Sequence, residues 1–150
     1  LISFLKRLRK KSVLVEIKLL PNAIFPSQPY KTDACWDLYA IEDVEIPPGR
    51  TVEVHTGVFM HIPAGFEGEL KCRSSWGKKG LSIHHGAIDS GYQGEIYPFV
   101  YNFSSETFYI HRGDRVVQFC LREVIPISWI EVNTFTPSAR GVKGHGSSGR

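Results

Sequence analysis

No run in the 150 residues approaches the roughly 20 consecutive apolar positions that a membrane-spanning helix needs, so no membrane partner is expected. The opening Leu1-Ile2-Ser3-Phe4-Leu5 is too short for the core of a secretory signal, and no small-residue cleavage site follows it; the expected location is cytoplasmic. Cysteine is scarce. Cys35, Cys72 and Cys120 are odd in number and widely spaced, which fits neither a disulfide framework nor a zinc site, and buried free thiols are expected. Acid is missing from the first twelve residues, where Lys6, Arg7, Arg9, Lys10 and Lys11 stand. The net charge is +3, so residues 13–150 carry a net −2 and the basicity is local. Such a start reads as a frayed, solvated terminus or as an arm that touches nucleic acid or an anionic surface.

What is present is a chain long enough for one domain with a real core and short for two. Val13, Val15, Ile17 and Leu19 alternate with Leu14, Glu16 and Lys18, and Val52, Val54, Val58, Met60 and Ile62 alternate with Glu53, His55, Gly57 and His61; both segments are expected as strands. Further strands are expected over residues 94–102, 107–110, 116–121 and 127–132, between turns such as Pro47-Pro48-Gly49 and Arg112-Gly113-Asp114. Helix is limited to the basic start and a turn or two over residues 74–79, cut off by Gly80. The fold class is all-β: a sandwich, jelly roll or barrel. The expected organisation is a basic arm over 1–12, a β domain over 13–133, and a flexible, glycine-rich C-terminal arm over 134–150.

Several segments carry candidate chemistry. Gly86-Ala87-Ile88-Asp89-Ser90-Gly91-Tyr92 sets an acid close to a ring. It reads as a carboxylate that activates water beside a substrate-packing tyrosine, or as a hairpin whose Asp caps a turn. Arg73-Ser74-Ser75 puts a guanidinium and hydroxyls at a strand-to-helix junction suited to phosphate, with Trp76 read as a packing residue. Gly113-Asp114-Arg115 feeds an apolar strand and can hold an internal ion pair while aiming Gln118 at a polyphosphate. Arg140, His145, Gly146, Ser147 and Ser148 sit in a tail whose main-chain N–H groups can wrap phosphate. His84-His85 invites a metal reading, but adjacent strand residues point to opposite faces and no third ligand is evident; a structural role is expected.

Taken in order, with Asp33-Ala34-Cys35-Trp36-Asp37-Leu38-Tyr39-Ala40 added, these segments resemble the five motifs of the trimeric dUTPase family over residues 13–150. The resemblance implies a distorted β-barrel or jelly roll, a homotrimer with active sites shared between subunits, and Mg²⁺-assisted hydrolysis of dUTP to dUMP and pyrophosphate. Such an activity limits uracil incorporation into DNA and supplies dUMP for dTMP synthesis. Carried over residue by residue, Asp89 activates the attacking water and Asp37 holds the Mg²⁺–triphosphate through metal-bound waters. Tyr92 packs on the deoxyribose and excludes a 2′-hydroxyl. Arg73, Ser74, Ser75 and Gln118 grip the phosphates, Gly86 and Ile88 belong to the hairpin that reads uracil, and Arg140, Gly146, Ser147 and Ser148 close over the substrate while His145 stacks on the base. Cys35-Trp36, Cys72 and Trp76 depart from the usual residues of the family, and so does His84-His85 in the uracil hairpin.

Two rival readings follow from the same residues. A dCTP deaminase shares an Arg-Ser-Ser segment but needs a glutamate where Phe99 stands and commonly has tryptophan at the place of Tyr92. A non-catalytic binding or regulatory protein, its basic start contacting nucleic acid or a protein partner, would be supported by loss of Asp37, Asp89 or Tyr92, and all three are present.

Overall fold

The computed structural model describes residues 12–142, so the basic arm and the last part of the glycine-rich tail lie outside the described residues. Among the described residues ten strands and one helical turn follow one another: β1 (Glu16–Leu19), β2 (Trp36–Tyr39), β3 (Val44–Ile46), β4 (Thr51–Glu53), β5 (Val58–His61), β6 (Phe66–Lys71), α1 (Ser74–Gly77), β7 (Leu81–His84), β8 (Phe99–Asn102), β9 (Phe108–Ile110) and β10 (Arg115–Glu123). The strands pair antiparallel in four small sheets, β1-β5, β2-β10-β6, β3-β9 and β4-β8-β7. This is the expected all-β, jelly-roll-like class. Short sheets close around one apolar core that includes Leu38, Ile46, Ile62, Ile96, Val100 and Val117. Each such fully buried side chain stabilises the fold by about 1.5–3 kcal/mol relative to exposure.

Alternation located strands better than it located their ends. The expected strand from Val13 pairs only over Glu16–Leu19, where β5 lies alongside. The expected continuous strand through Val52 and Ile62 is broken into β4 and β5, because Gly57 adopts φ +67° and turns the chain. A Cβ at Gly57 would come within 2.5 Å of Ile41 Cδ1 and 2.9 Å of Ala23 Cβ, so the bend is reserved for glycine by both space and backbone. Of residues 94–102 only Phe99–Asn102 form a strand. Residues 127–132 form none: among the described residues they find no partner strand, and Trp129 is 90 % exposed. The strands β2 and β3 were not anticipated, and β6 and β7 were foreseen only as strands beside Arg73 and at His84, without bounds; each is short or carries charge and glycine among its apolar positions. The helical turn falls where expected, and Trp76 is buried there edge-on to Phe108 at 5.8 Å between centroids.

The expectation of three free thiols fails. Phe119 pairs with Trp36, so the next step of the ladder sets Cys120 beside Cys35, and the two are disulfide-bonded with Cα atoms 4.6 Å apart. Only Cys72 is free. Sequence spacing hid the pair because 85 positions separate the two cysteines.

Asn102 anchors the other side of the fold. It is fully buried, its Nδ2 donates to the carbonyls of Ile46 and Glu106 at 2.8 Å each, and its Oδ1 accepts from the N–H and hydroxyl of Ser104 at 2.9 and 2.7 Å. All four of its hydrogen-bonding capacities are used, joining β3, β8 and the turn before β9.

Two outcomes are expected. Asn102→Ala leaves buried carbonyls unpaired and lowers unfolding stability by about 2–4 kcal/mol, read from urea titration. Thiol titration of the denatured, unreduced protein finds one reactive thiol and, after reduction, three; finding three at the outset would show that the Cys35–Cys120 bond is absent.

Candidate active site

Strand β10 brings together three segments that are far apart in sequence. Gln118 lies opposite Asp37 of β2 on one side and Lys71 of β6 on the other. Side chains at directly opposed positions share a face, so Asp37 and Gln118 meet. Asp37 is 3 % exposed, and a carboxylate so buried costs several kcal/mol unless it is matched by donors and positive charge. Gln118 Nε2 donates to Oδ1 at 3.2 Å, Arg115 Nη1 to Oδ2 at 3.4 Å, and Arg73 Nε lies 3.7 Å from Oδ1. Arg73 leaves β6 at the start of α1 and donates from Nη1 to the Arg115 carbonyl at 3.0 Å, which ties the two arginines together.

Arg115 was foreseen only as a partner in an internal ion pair. Three positions from Gln118, it would face away on a regular strand. A register shift between Arg115 and Val117 inserts one residue and turns both side chains to Asp37. The Gly113-Asp114-Arg115 turn was the available signal; Asp114 closes it by accepting the His111 N–H at 2.9 Å. Ser74 and Ser75 open α1 beside Arg73, both exposed.

Asp89 and Tyr92 lie elsewhere. Ile88 exchanges hydrogen bonds with Gly68 of β6, at 2.9 and 3.0 Å, and so docks the hairpin on the sheet. Gly68 is required there, because a Cβ would meet the Phe119 ring at 2.6 Å. Tyr92 N–H donates to the Asp89 carbonyl at 3.1 Å, closing a turn that leaves both side chains exposed. They border an open cavity of about 200 Å³ together with His85, Gly86 and Ile88. Tyr97 and Phe99 form its aromatic wall, 5.6 Å apart between centroids. Burial, reinforced by the nearby Glu53, Tyr92 and Glu95, pushes the Tyr97 phenol above its ordinary range, so it stays neutral. His85 Nδ1 donates to the Gly86 carbonyl at 2.7 Å, a local bond that fits the structural role expected for it.

Among the described residues no hydrogen bond or ion pair joins Asp89 or Tyr92 to Asp37, Arg73 or Gln118. Both groups attach to β6, the cavity through Gly68 and the Asp37 cluster through Lys71, three residues along and about 10 Å away on an extended strand. One chain therefore holds a polar cradle and an acid-and-ring cavity that share no lining residue and that no hydrogen bond or ion pair joins among the described residues. Arg140 is described and exposed, whereas His145, Gly146, Ser147 and Ser148 lie outside the described residues. No group of three or more His, Cys, Asp or Glu able to hold a metal occurs among the described residues, and none of their helices is long and apolar enough to cross a membrane. Burial pushes the Cys72 thiol above its usual range, which keeps it protonated and a poor nucleophile.

Residues 21–149 match the dUTPase family model. The chain is 39 % identical over 147 residues to the deoxyuridine 5'-triphosphate nucleotidohydrolase of Mycobacterium tuberculosis, covering 92 % of this chain and 96 % of that one. It is 36 % identical over 140 residues to the enzyme of the same name from Solibacter usitatus, covering 87 % and 91 %. Among solved structures it resembles the dUTPase of Staphylococcus bacteriophage 80alpha with dUPNHPP, at a TM-score of 0.86 and 28 % identity over 93 % of this chain and all of that one. It also resembles a mutant dUTPase of phage phi11 of S. aureus, described for its coordination of a structural Mg(II) ion, at a TM-score of 0.76 and 26 % identity over 82 % and 99 %. With the motif residues, the all-β fold and these relatives in agreement, the chain belongs to the dUTPase family.

Proposed function

We propose that this protein hydrolyses dUTP to dUMP and pyrophosphate by Mg²⁺-assisted attack of water on the α-phosphorus, which limits uracil incorporation into DNA and supplies dUMP for dTMP synthesis. The observation that carries the mechanism is the buried Asp37 carboxylate with Arg73, Arg115 and Gln118 gathered on it. Bound in that way, Asp37 is poorly suited to be a direct metal ligand but well suited to accept hydrogen bonds from metal-bound water. Mg²⁺ keeps several waters and is commonly held by substrate phosphates with one or two carboxylates nearby, so this donor set fits a metal carried in by the triphosphate. When bound, Mg²⁺ supplies neutralisation of the charge that builds on the leaving pyrophosphate.

The chain's own residues divide the remaining work. Asp89 orients the attacking water and takes its proton, while Tyr92 meets the deoxyribose and leaves no room for a 2′-hydroxyl. Gly86 and Ile88 present main-chain groups to uracil. Arg73, Ser74, Ser75 and Gln118 bind phosphate oxygens, a preorganised set of donors and positive charge. Arg140, Gly146, Ser147 and Ser148 close over the triphosphate, and His145 stacks on the base. In this organisation a β domain over 13–133 is flanked by a basic arm over 1–12 and a closing arm over 134–150, acting in the cytoplasm.

Because the cradle and the cavity are separate in one chain, the complete site requires subunits that pair one chain's cradle with another's cavity. A homotrimer does this, and the exposed Ile125, Ile127, Trp129 and Ile130 supply apolar surface that asks to be covered. The deaminase alternative finds no support at Phe99, whose ring lines the cavity where an acid would be needed.

Light scattering is expected to give a mass about three times the 16.9 kDa of one chain; a monodisperse monomer would remove the shared-site mechanism. With Mg²⁺, the intact protein is expected to release pyrophosphate from dUTP in preference to UTP, dTTP and dCTP. Asp89→Ala lowers kcat by about 10²–10⁴-fold, the range for loss of a positioned general base, and truncation before Arg140 also lowers it strongly. Absence of pyrophosphate from folded, Mg²⁺-loaded protein points to a binding protein, and ammonia from dCTP to a deaminase.

A further inference from the structure

The bend between β4 and β5 is closed by a side chain from 38 positions further along. Glu95 Oε1 accepts the N–H groups of Gly57 at 2.8 Å and Thr56 at 3.0 Å, and its Oε2 accepts from His55 Nδ1 at 3.0 Å. The Thr56 hydroxyl donates to the carbonyl of Ile96, and the Ile96 N–H to that of Val58 at 2.7 Å, so the main chain on the far side of Glu95 is fixed as well. Both carboxylate oxygens are committed to these contacts. The near side of the same residue faces Tyr92: the phenol donates to the Glu95 carbonyl at 3.3 Å. The ring lies so close over Gly94 that a Cβ there would come within 2.1 Å of the phenol oxygen. Tyr92 is 46 % exposed, so its outer face has no packing to hold it, and its position depends on residues 94 and 95.

We propose that Glu95 is a positioning residue for sugar selection: it locks the main chain on which the Tyr92 ring rests, and thereby sets the clearance left for a ribose or a deoxyribose. The inference rests on the reading of Tyr92 as the group that meets the sugar. Selectivity then depends on a carboxylate bonded to the Gly57 bend. Gly94 is part of the same device, since a side chain there displaces the ring while leaving the Glu95 carboxylate in place.

The test is kcat and KM for dUTP and for UTP, with melting temperatures, for the intact protein and for Tyr92→Ala, Glu95→Ala, Glu95→Gln and Gly94→Ala. Loss of one positioning hydrogen bond corresponds to about a tenfold change, so Glu95→Ala and Gly94→Ala are each expected to lower the dUTP-over-UTP ratio of kcat/KM by about tenfold. The change is expected mainly in KM, with Glu95→Gln in between because the amide oxygen still accepts from Thr56 and Gly57. Should Glu95→Ala fail to fold, Glu95→Gln and Gly94→Ala decide the matter. The proposal is overturned if these variants keep the intact ratio while Tyr92→Ala loses it. If Tyr92→Ala keeps the ratio too, the reading of Tyr92 fails first and takes the proposal with it.

Discussion

A buried carboxylate has to be answered by positive charge and donors, and Asp37 imposes that requirement on the middle of this fold. Its answer comes from two other segments: Arg73 at the end of β6, and Arg115 and Gln118 on β10. Those groups reach it only if β10 runs between β2 and β6, and only if the bulge near Arg115 turns that side chain inward. Removing one partner from a buried charged cluster is far costlier than never having built it, so sheet order, register and bulge are tied to a single polar residue. The same cluster is the phosphate cradle of the proposed reaction. In that proposal, stability and substrate binding draw on the same side chains.

Other polar groups apply the same logic at smaller scale. Asn102 joins β3, β8 and the following turn through a fully satisfied amide, and Glu95 fills the bend that Gly57 opens between β4 and β5. Sheets of two or three short strands have little ladder of their own. Side chains that bond main-chain groups across the joins hold such sheets in one arrangement.

The resemblance to the family was legible in the residue order. The motif segments around Asp37, Arg73, Asp89 and Gln118 stood out together, and the turn at Ser74 with its buried Trp76 fell as expected. Strand positions were legible where apolar residues alternate beside a partner, as in β1, β5, β9 and β10. They were illegible in β6, where Gly68 breaks the pattern because the Phe119 ring lies over it. The 127–132 segment misled for the opposite reason: it has the composition of a strand, but no neighbour among the described residues completes its hydrogen bonds.

By itself, then, the sequence determined an all-β class and the turn chemistry, because these depend on local composition and on residue type, and its resemblance to the dUTPase motifs pointed to the groups proposed to bind phosphate. Tertiary structure alone decided that Arg115 and Asp37, 78 positions apart, share an ion pair, that Cys35 and Cys120, 85 apart, are bonded, and that Asp37, Arg73, Arg115 and Gln118 gather apart from the lining of the cavity. The reason is physical: register, burial and a bulge are properties of pairs of segments, and no local pattern along one segment carries them.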